Sequence, residues 1–128
     1  MIEQQPPLKP VIWVGSSRKD LRGFPDSVQD HMGYALYVAQ RGGKHRAAKT
    51  LGGFVGAGVV EAIADHRGDT FRTVYTVRYS DAVYVLHAFH KKSKRGGETP
   101  RHDIQLIDQR LHEAERISKE RTAQEKKK

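Results

Sequence analysis

The chain lacks cysteine altogether, so no disulfide and no thiolate chemistry is available to it, and a cytoplasmic protein is expected. Long apolar runs are absent too: no window approaches the roughly 20 residues of a membrane span. Residues 1–10 contain no signal-peptide core. Acidic residues are few, with 15 Asp and Glu against 23 Lys and Arg and a formal net charge of +8. These absences predict a soluble, cationic protein with no membrane partner.

The basic excess is greatest late in the chain. Residues 87–102 contain five Lys and Arg against one acid. Neutralisation of phosphates supplies much of the affinity of proteins for nucleic acid, so this cluster favours a nucleic-acid or acidic partner. A basic surface that only improves solubility is the simpler alternative.

At 128 residues the chain is long enough for one core and too short for two. We expect a flexible N-terminus over residues 1–9, a single domain over 10–118 and a charged tail over 119–128. No internal repeat divides the domain.

Three runs rich in β-branched and aromatic residues, 59–66, 70–79 and 82–94, predict an antiparallel three-stranded meander. Gly68 and Ser80 stand in the turns between them. An earlier apolar run over 8–14 predicts a first strand, and the glycine-rich basic segment 44–58 predicts a mobile loop.

Three helices are predicted, a short one over 16–23, a second that Gly42 and Gly43 end, and a last one that begins at Pro100. Gly33, inside the second helix, is expected to pack closely against a neighbour. The fold predicted is α+β, with about four antiparallel strands in the order β-α-α-β-β-β-α and the helices on one face. The apolar stripe predicted for the second helix comprises Val28, Met32, Ala35, Leu36 and Ala39.

Familiar ligand-binding motifs are missing. Neither GxxxxGK[ST] nor GxGxxG occurs, and no His or Cys spacing suits a metal. We therefore expect no metal and no small-molecule cofactor.

The string FRTVY at residues 71–75, followed by VLHAFHKKS at 85–93, resembles the RelE/HigB superfamily of type II toxins, and most closely its phage-derived, HigB-like branch. The resemblance covers about residues 10–118. It implies a toxin that cleaves mRNA in the ribosomal A site and inhibits translation and growth. It also implies a cognate antitoxin, usually a helix-turn-helix protein. Ribosome, mRNA and antitoxin are thus the expected partners.

Cleavage of RNA by its own 2′-OH requires a positioned phosphate, stabilised negative charge and two proton transfers. Arg72 suits the phosphate because a guanidinium is always charged and can hold two oxygens, and the resemblance assigns it this role. Lys91 and Lys92 match the family's Phe-x-Lys-Lys signature. His90 adjoins them and is a candidate general acid, whereas His87 has the setting of a hydrogen-bonded core histidine.

The remaining cations are candidates for RNA binding. Arg78 is expected to share a strand face with Arg72, and Arg67 lies in the first hairpin turn. Tyrosines of the meander could stack on bases or move protons, but most strand tyrosines belong to a core. The full set of RNA-binding candidates is Lys94, Arg95, Arg67, Arg78, Lys44, Arg46 and Lys49.

Two other functions remain open. A ParE-like DNA gyrase inhibitor would share the fold but usually lacks the two lysines after the last strand's Phe. A non-catalytic basic nucleic-acid-binding module would need no phosphate cleft. A convergent Arg and Lys cluster on one concave face separates the nuclease from both.

Overall fold

The computed structural model describes residues 7–54, 56–91 and 99–126 of the chain. These residues form five strands and three helices in an α+β arrangement. In chain order the elements are β1 (Val11–Trp13), α1 (Ser17–Arg22), α2 (Asp26–Gln40), β2 (Ala48–Thr50), β3 (Val59–His66), β4 (Asp69–Thr76), β5 (Val83–Lys91) and α3 (Arg101–Lys126).

The sheet is mixed and has the strand order β1-β5-β4-β3-β2. The meander β3, β4, β5 is antiparallel, as predicted. The prediction of about four antiparallel strands is wrong in two respects. First, β1 pairs with β5 in parallel, with Val11 opposite Val83. Second, the segment predicted as a mobile loop contains β2, whose Lys49 lies opposite Glu61 of β3.

The helices cover both faces of the sheet, so the prediction that they pack on one face is also wrong. Residues of α1 and α2 form a core cluster with Val85 of β5. Ile107 and Ala114 of α3 form a second cluster on the other face, with Leu86. The physical reason is that both sides of β5 are apolar, so each side needs its own cover.

Helix α2 confirms the stripe predicted for it, because all five residues of the stripe are buried. The expectation for Gly33 is wrong. This residue is exposed, and a Cβ built on it would meet no atom within 4 Å. Gly33 therefore lies on the solvent side of the helix.

Two irregularities set the geometry of the meander. At the β3–β4 turn both Arg67 and Gly68 have positive φ, of 50° and 84°, as a type I′ hairpin turn requires. Between β4 and β5 the register shifts, because Val74 lies opposite His87 while the next residue of β4 lies opposite Val85. Leu86 is the extra residue of this bulge, so Leu86 and His87 both face α3.

Helix α3 continues to Lys126, through most of the segment expected to form a tail. Within the ranges that the structure describes, no helix combines the length and the apolar character needed to cross a membrane.

Candidate functional site

A buried ion pair links β3 and β4 on the face that α3 covers. Nη1 of Arg72 donates to Oε1 of Glu61 at 2.9 Å, and the two side chains are 3% and 0% exposed. The register sets Ile63 opposite Arg72, so Glu61 is the diagonal neighbour of Arg72 on the same face. The other oxygen of Glu61, Oε2, accepts from Thr99 Oγ1 at 3.1 Å. Each charge thus meets the partner that burial demands.

A pocket of about 380 Å³ opens onto this pair. Lys49 stands at its exposed side, on the edge strand β2. The pocket therefore combines two cations and one carboxylate with threonine hydroxyls. We call it the Arg72 pocket; its lining residues are Lys49, Thr50, Leu51, Gly52, Glu61, Arg72, Thr99 and Ile104.

Lys91 lies on the same face of the sheet as Arg72. Phe89 is opposite Arg72 and Thr70 is opposite Lys91, so the arginine and the lysine are diagonal neighbours across β4 and β5, with Cα atoms about 7–8 Å apart in ordinary sheet geometry. Lys91 is half-buried. The other basic candidates of this strand end, Lys92, Lys94 and Arg95, lie outside the described residues.

His90 lies on the opposite face from Arg72. Its ring stacks on Phe71, with centroids 4.5 Å apart and planes within 7°, and Phe71 belongs to the core beneath α1 and α2. Its Nε2 is 3.0 Å from Oδ2 of Asp69. The structure therefore does not bring His90 together with Arg72, because adjacent residues of a strand point to opposite faces.

The other RNA-binding candidates are exposed and scattered. Arg67 lies at the β3–β4 turn, away from the pocket. Arg78 follows the end of β4, and its guanidinium stands 5.9 Å from the ring of Tyr79. The strand alternation that would set Arg78 beside Arg72 thus ends before Arg78.

Lys44 and Arg46 precede β2, also at the surface. Lys44 Nζ approaches the hydroxyl of Thr50 at 3.5 Å. Since Thr50 lines the Arg72 pocket, Lys44 lies at its rim, whereas Arg46 does not line it.

His87 joins β5 to α3 through contacts that the sequence did not predict. Its Nε2 is 2.6 Å from Oδ1 of Asp103, and Nη1 of Arg110 lies 3.3 Å from its Nδ1. Because a guanidinium can only donate, Nδ1 accepts and Nε2–H donates to the carboxylate. Arg110 also donates to the carbonyl of Leu86 at 2.9 Å. His87 is thus the buried, hydrogen-bonded histidine that its apolar neighbours suggested.

The meander tyrosines are poorly suited to proton transfer near neutral pH. Burial raises the pKa of Tyr75 to about 12. Burial, together with the hydrogen bond that its hydroxyl donates to Asp81 at 2.5 Å, raises the pKa of Tyr84 to about 12. Tyr79 is less buried, and its pKa is raised by burial and by Glu115.

Sequence reasoning missed Glu61, although a signal for it exists. Glu61 is the single acid in the apolar run 59–64, and a carboxylate inside a strand that is buried on both faces requires a cation or hydroxyl donors. Among the described residues, no three His, Asp or Glu side chains converge as a metal-binding group.

The elements and the pocket define a small α+β protein whose five-stranded sheet carries a buried arginine–glutamate pair. The chain belongs to the phage-derived Gp49-like protein family, whose model matches residues 19–112. In a crystal structure of the toxin–antitoxin complex RelBE2 from Mycobacterium tuberculosis, one chain is 21% identical to this one. The match covers 67% of this chain and 94% of that chain, with a TM-score of 0.44. No curated protein sequence matches the chain significantly.

Proposed function

We propose that this protein is the toxin of a type II toxin–antitoxin system, of the HigB-like branch, and that it is an endoribonuclease that cuts mRNA on the ribosome. The main support is that Arg72, Lys49 and Lys91 lie on the same face of the sheet, where Arg72 shares its pocket with Lys49 and neighbours Lys91 through the β4–β5 pairing. The resemblance of residues 71–75 and 85–93 to RelE/HigB toxins supports it independently.

The reaction proposed is attack of a ribose 2′-OH on the adjacent phosphorus. The new 2′-O–P bond forms as the P–O5′ bond breaks, leaving a 2′,3′-cyclic phosphate and a 5′-hydroxyl. A base takes the 2′-OH proton and an acid protonates the leaving O5′. Arg72 and the lysines stabilise the extra negative charge on the phosphorus oxygens.

Glu61 adds a requirement to this proposal. Its carboxylate holds the Arg72 guanidinium. The negative charge of Glu61 therefore offsets one of the two positive charges, those of Lys49 and Arg72, that line the pocket. Lys49, Lys91 and Lys92 therefore carry more of the phosphate binding than Arg72 alone would suggest. His90 is left out of this site, because it lies on the other face beside Phe71 and Asp69.

One observation favours the second candidate, a non-catalytic RNA-binding module. Arg72 is only 3% exposed and already pairs with a carboxylate, an environment in which many arginines are purely structural. A cognate antitoxin, proposed as the partner of the toxin, would not be required by this alternative.

The test is induction of the chain in growing cells, with mapping of 5′ ends of cellular mRNA. Three forms are compared: wild type, a Lys91→Ala/Lys92→Ala double variant, and a Lys119→Ala control. Lys119 is exposed on α3 and lies roughly 20 Å along the helix from Ile104 at the pocket. We expect growth arrest and cuts in register with codons for wild type and the control, and neither for the double variant.

Each other outcome points elsewhere. Arrest with intact mRNA would overturn the nuclease and bring the gyrase inhibitor forward. A harmless wild type would favour the binding module. A double variant as active as wild type would mean that the lysines do not serve the reaction.

A further inference from the structure

The solvent face of α2 carries two exposed aromatic side chains. Tyr34 is 58% and Tyr37 39% exposed, and they are two of four large apolar side chains exposed among the described residues. A separation of three residues sets them side by side on the helix. The rest of the fully exposed positions on this helix are polar or Gly33, with no exposed aliphatic side chain. This face is therefore suited to stacking against the flat rings of a ligand rather than to packing against aliphatic side chains.

The two tyrosines belong to an unbroken row of five side chains. The rings of His31 and His45 lie 5.1 Å apart, those of Tyr34 and His45 5.3 Å, and those of Tyr34 and Tyr37 6.3 Å. Arg41 completes the row, with its guanidinium 5.8 Å from the centre of the Tyr37 ring and Nη1 donating to the Tyr37 hydroxyl at 3.0 Å. We call these five residues the α2 strip.

The contacts hold the rings in place. Arg41 fixes the hydroxyl of Tyr37, and the backbone N–H of Ala47 donates to Nδ1 of His45 at 3.0 Å. Burial, His31 and Arg46 lower the pKa of His45, which favours the neutral form of its ring. A surface of preformed rings loses little conformational entropy when a flat ligand stacks on it.

Positive charge lies at the Arg41 end of the strip and beside His45. Arg41 is a member, and Lys44 and Arg46 flank His45 at the surface. The exposed acids of α2 are Asp26 and Asp30, which precede Tyr34 by two turns and by one turn of the helix. A phosphate backbone that approaches the strip is therefore attracted toward Arg41 and toward the cations beside His45.

The strip leads to the Arg72 pocket around the β2 edge of the sheet. His45 is three residues before β2, and Lys44 reaches Thr50. Thr50 and Lys49 line the pocket. Rings and cations thus follow one another from the outer face of α2 to the rim of the pocket.

We propose that the α2 strip binds single-stranded RNA, with bases stacked on Tyr34 and Tyr37 and phosphates at Arg41 and Lys44. This inference rests on the proposed function in that it supplies the same RNA with a second contact surface. Aromatic rings interleaved with cations are the pattern by which proteins bind single strands without reading sequence. The strip then guides the strand that enters the pocket.

The test measures binding of a short fluorescein-labelled oligouridylate by fluorescence anisotropy. A ribose–phosphate strand of equal length without bases is the second probe, since it keeps the charge and removes the stacking. The variants are Tyr34→Ala/Tyr37→Ala, the ring-retaining Tyr34→Phe/Tyr37→Phe, and Val77→Ala, an exposed apolar residue outside the strip. All are compared with the wild-type chain.

We expect the double alanine variant to bind oligouridylate about tenfold more weakly, as loss of one or two stacked bases entails. Its affinity for the strand without bases should not change. The phenylalanine variant and Val77→Ala should bind both probes like wild type, whereas Arg41→Gln should weaken both.

Equal affinity of the alanine variant and wild type for oligouridylate would overturn the proposal, as would an equal loss for both probes. Unchanged RNA binding with lost antitoxin binding or lost self-association would make the strip a protein interface instead. The nuclease activity itself is tested separately, by mapping mRNA 5′ ends in cells that express wild type or Lys91→Ala/Lys92→Ala. If wild type cuts mRNA but Tyr34→Ala/Tyr37→Ala binds oligouridylate like wild type, the proposal for the α2 strip fails and the nuclease stands. If binding depends on the strip but wild type does not cut mRNA, the proposed nuclease activity fails and the strip stands.

Discussion

Glu61 accepts hydrogen bonds on both of its oxygens, from Arg72 of β4 and from Thr99, two residues before α3. One buried carboxylate therefore connects the arginine of the proposed site to Thr99, which stands four residues after Arg95 in the sequence. Its position depends on partners that are 11 and 38 residues away.

Removing only one charge of this pair should destabilise the fold. Glu61→Ala leaves Arg72 buried without its carboxylate, for which we expect a loss of about 3–5 kcal/mol in the free energy of unfolding. The double variant Glu61→Leu/Arg72→Leu removes both charges and should lose much less. Urea denaturation followed by circular dichroism measures both. Equal losses would show that the pair contributes as apolar volume and not as charge.

The contact between His87 and Asp103 should anchor the first turns of α3. Asp103→Ala removes the acceptor 2.6 Å from Nε2 of the histidine and leaves a buried N–H, so we expect a loss of about 1–3 kcal/mol. Hydrogen exchange should quicken at the start of α3 first. Asp108→Ala is the matched control, since Asp108 is exposed and lies 3.9 Å from the exposed His112. A change at Asp108 as large as that at Asp103 would contradict this prediction.

Two glycines should respond to alanine in opposite directions. Gly15 has φ +58°, and a Cβ there would lie 2.6 Å from Nε of Arg110, so Gly15→Ala should cost about 1–3 kcal/mol. Gly33 is helical and exposed with open space around it, so Gly33→Ala should stabilise by about 0.5–1 kcal/mol. Thermal unfolding of both variants, compared with wild type, measures whether each substitution lowers or raises stability. A neutral Gly15→Ala would contradict both parts of this prediction, the strain of the positive φ and the contact with Arg110.

Asp81 should make stability depend on pH in the acid range. Burial opposes its ionisation, but hydrogen bonds from Tyr84, Ser118 and Arg121 outweigh burial and hold its pKa below the ordinary value of 3.8. A carboxyl with a lowered pKa contributes stability above its unfolded pKa and loses it as pH falls through the folded value. The gap in unfolding free energy between wild type and Asp81→Asn should thus be constant near neutrality and shrink below about pH 4.

Urea titrations of Asp81→Asn and wild type across this range measure that gap. Asp108→Asn serves as the control, because its carboxyl is exposed on α3. A gap that does not change with pH would mean that Asp81 acts through hydrogen bonds that survive its protonation.

Features set by local sequence were the predictable ones. The buried stripe of α2 follows from helical spacing, and the β3–β4 turn follows from Gly68. A continuous apolar run from Ala82 to Phe89, with only His87 to interrupt it, was a sign that both faces of β5 are covered. Read in that way, it predicts helices on two sides of the sheet.

Other features depend on distant partners and could not be predicted from local pattern. Strand β2 has only the residues Ala48–Thr50 and forms because β3 offers an edge. The bulge at Leu86 reverses the alternation that a simple strand would have and turns His87 toward α3. The choice of Glu61 as the partner of Arg72 follows from the β3–β4 register, which the turn at Gly68 fixes.

The parallel pairing of β1 with β5 has a consequence for synthesis. Val11 leaves the ribosome early, yet its partner Val83 is made only after the whole meander up to β4. Throughout that interval the edge of β1 has no strand to bond with, and a nascent chain that stops before β5 cannot close the sheet. The fold is therefore completed only after translation of β5, the strand that ends in Lys91. The sheet and the proposed site on it form at the same stage of synthesis.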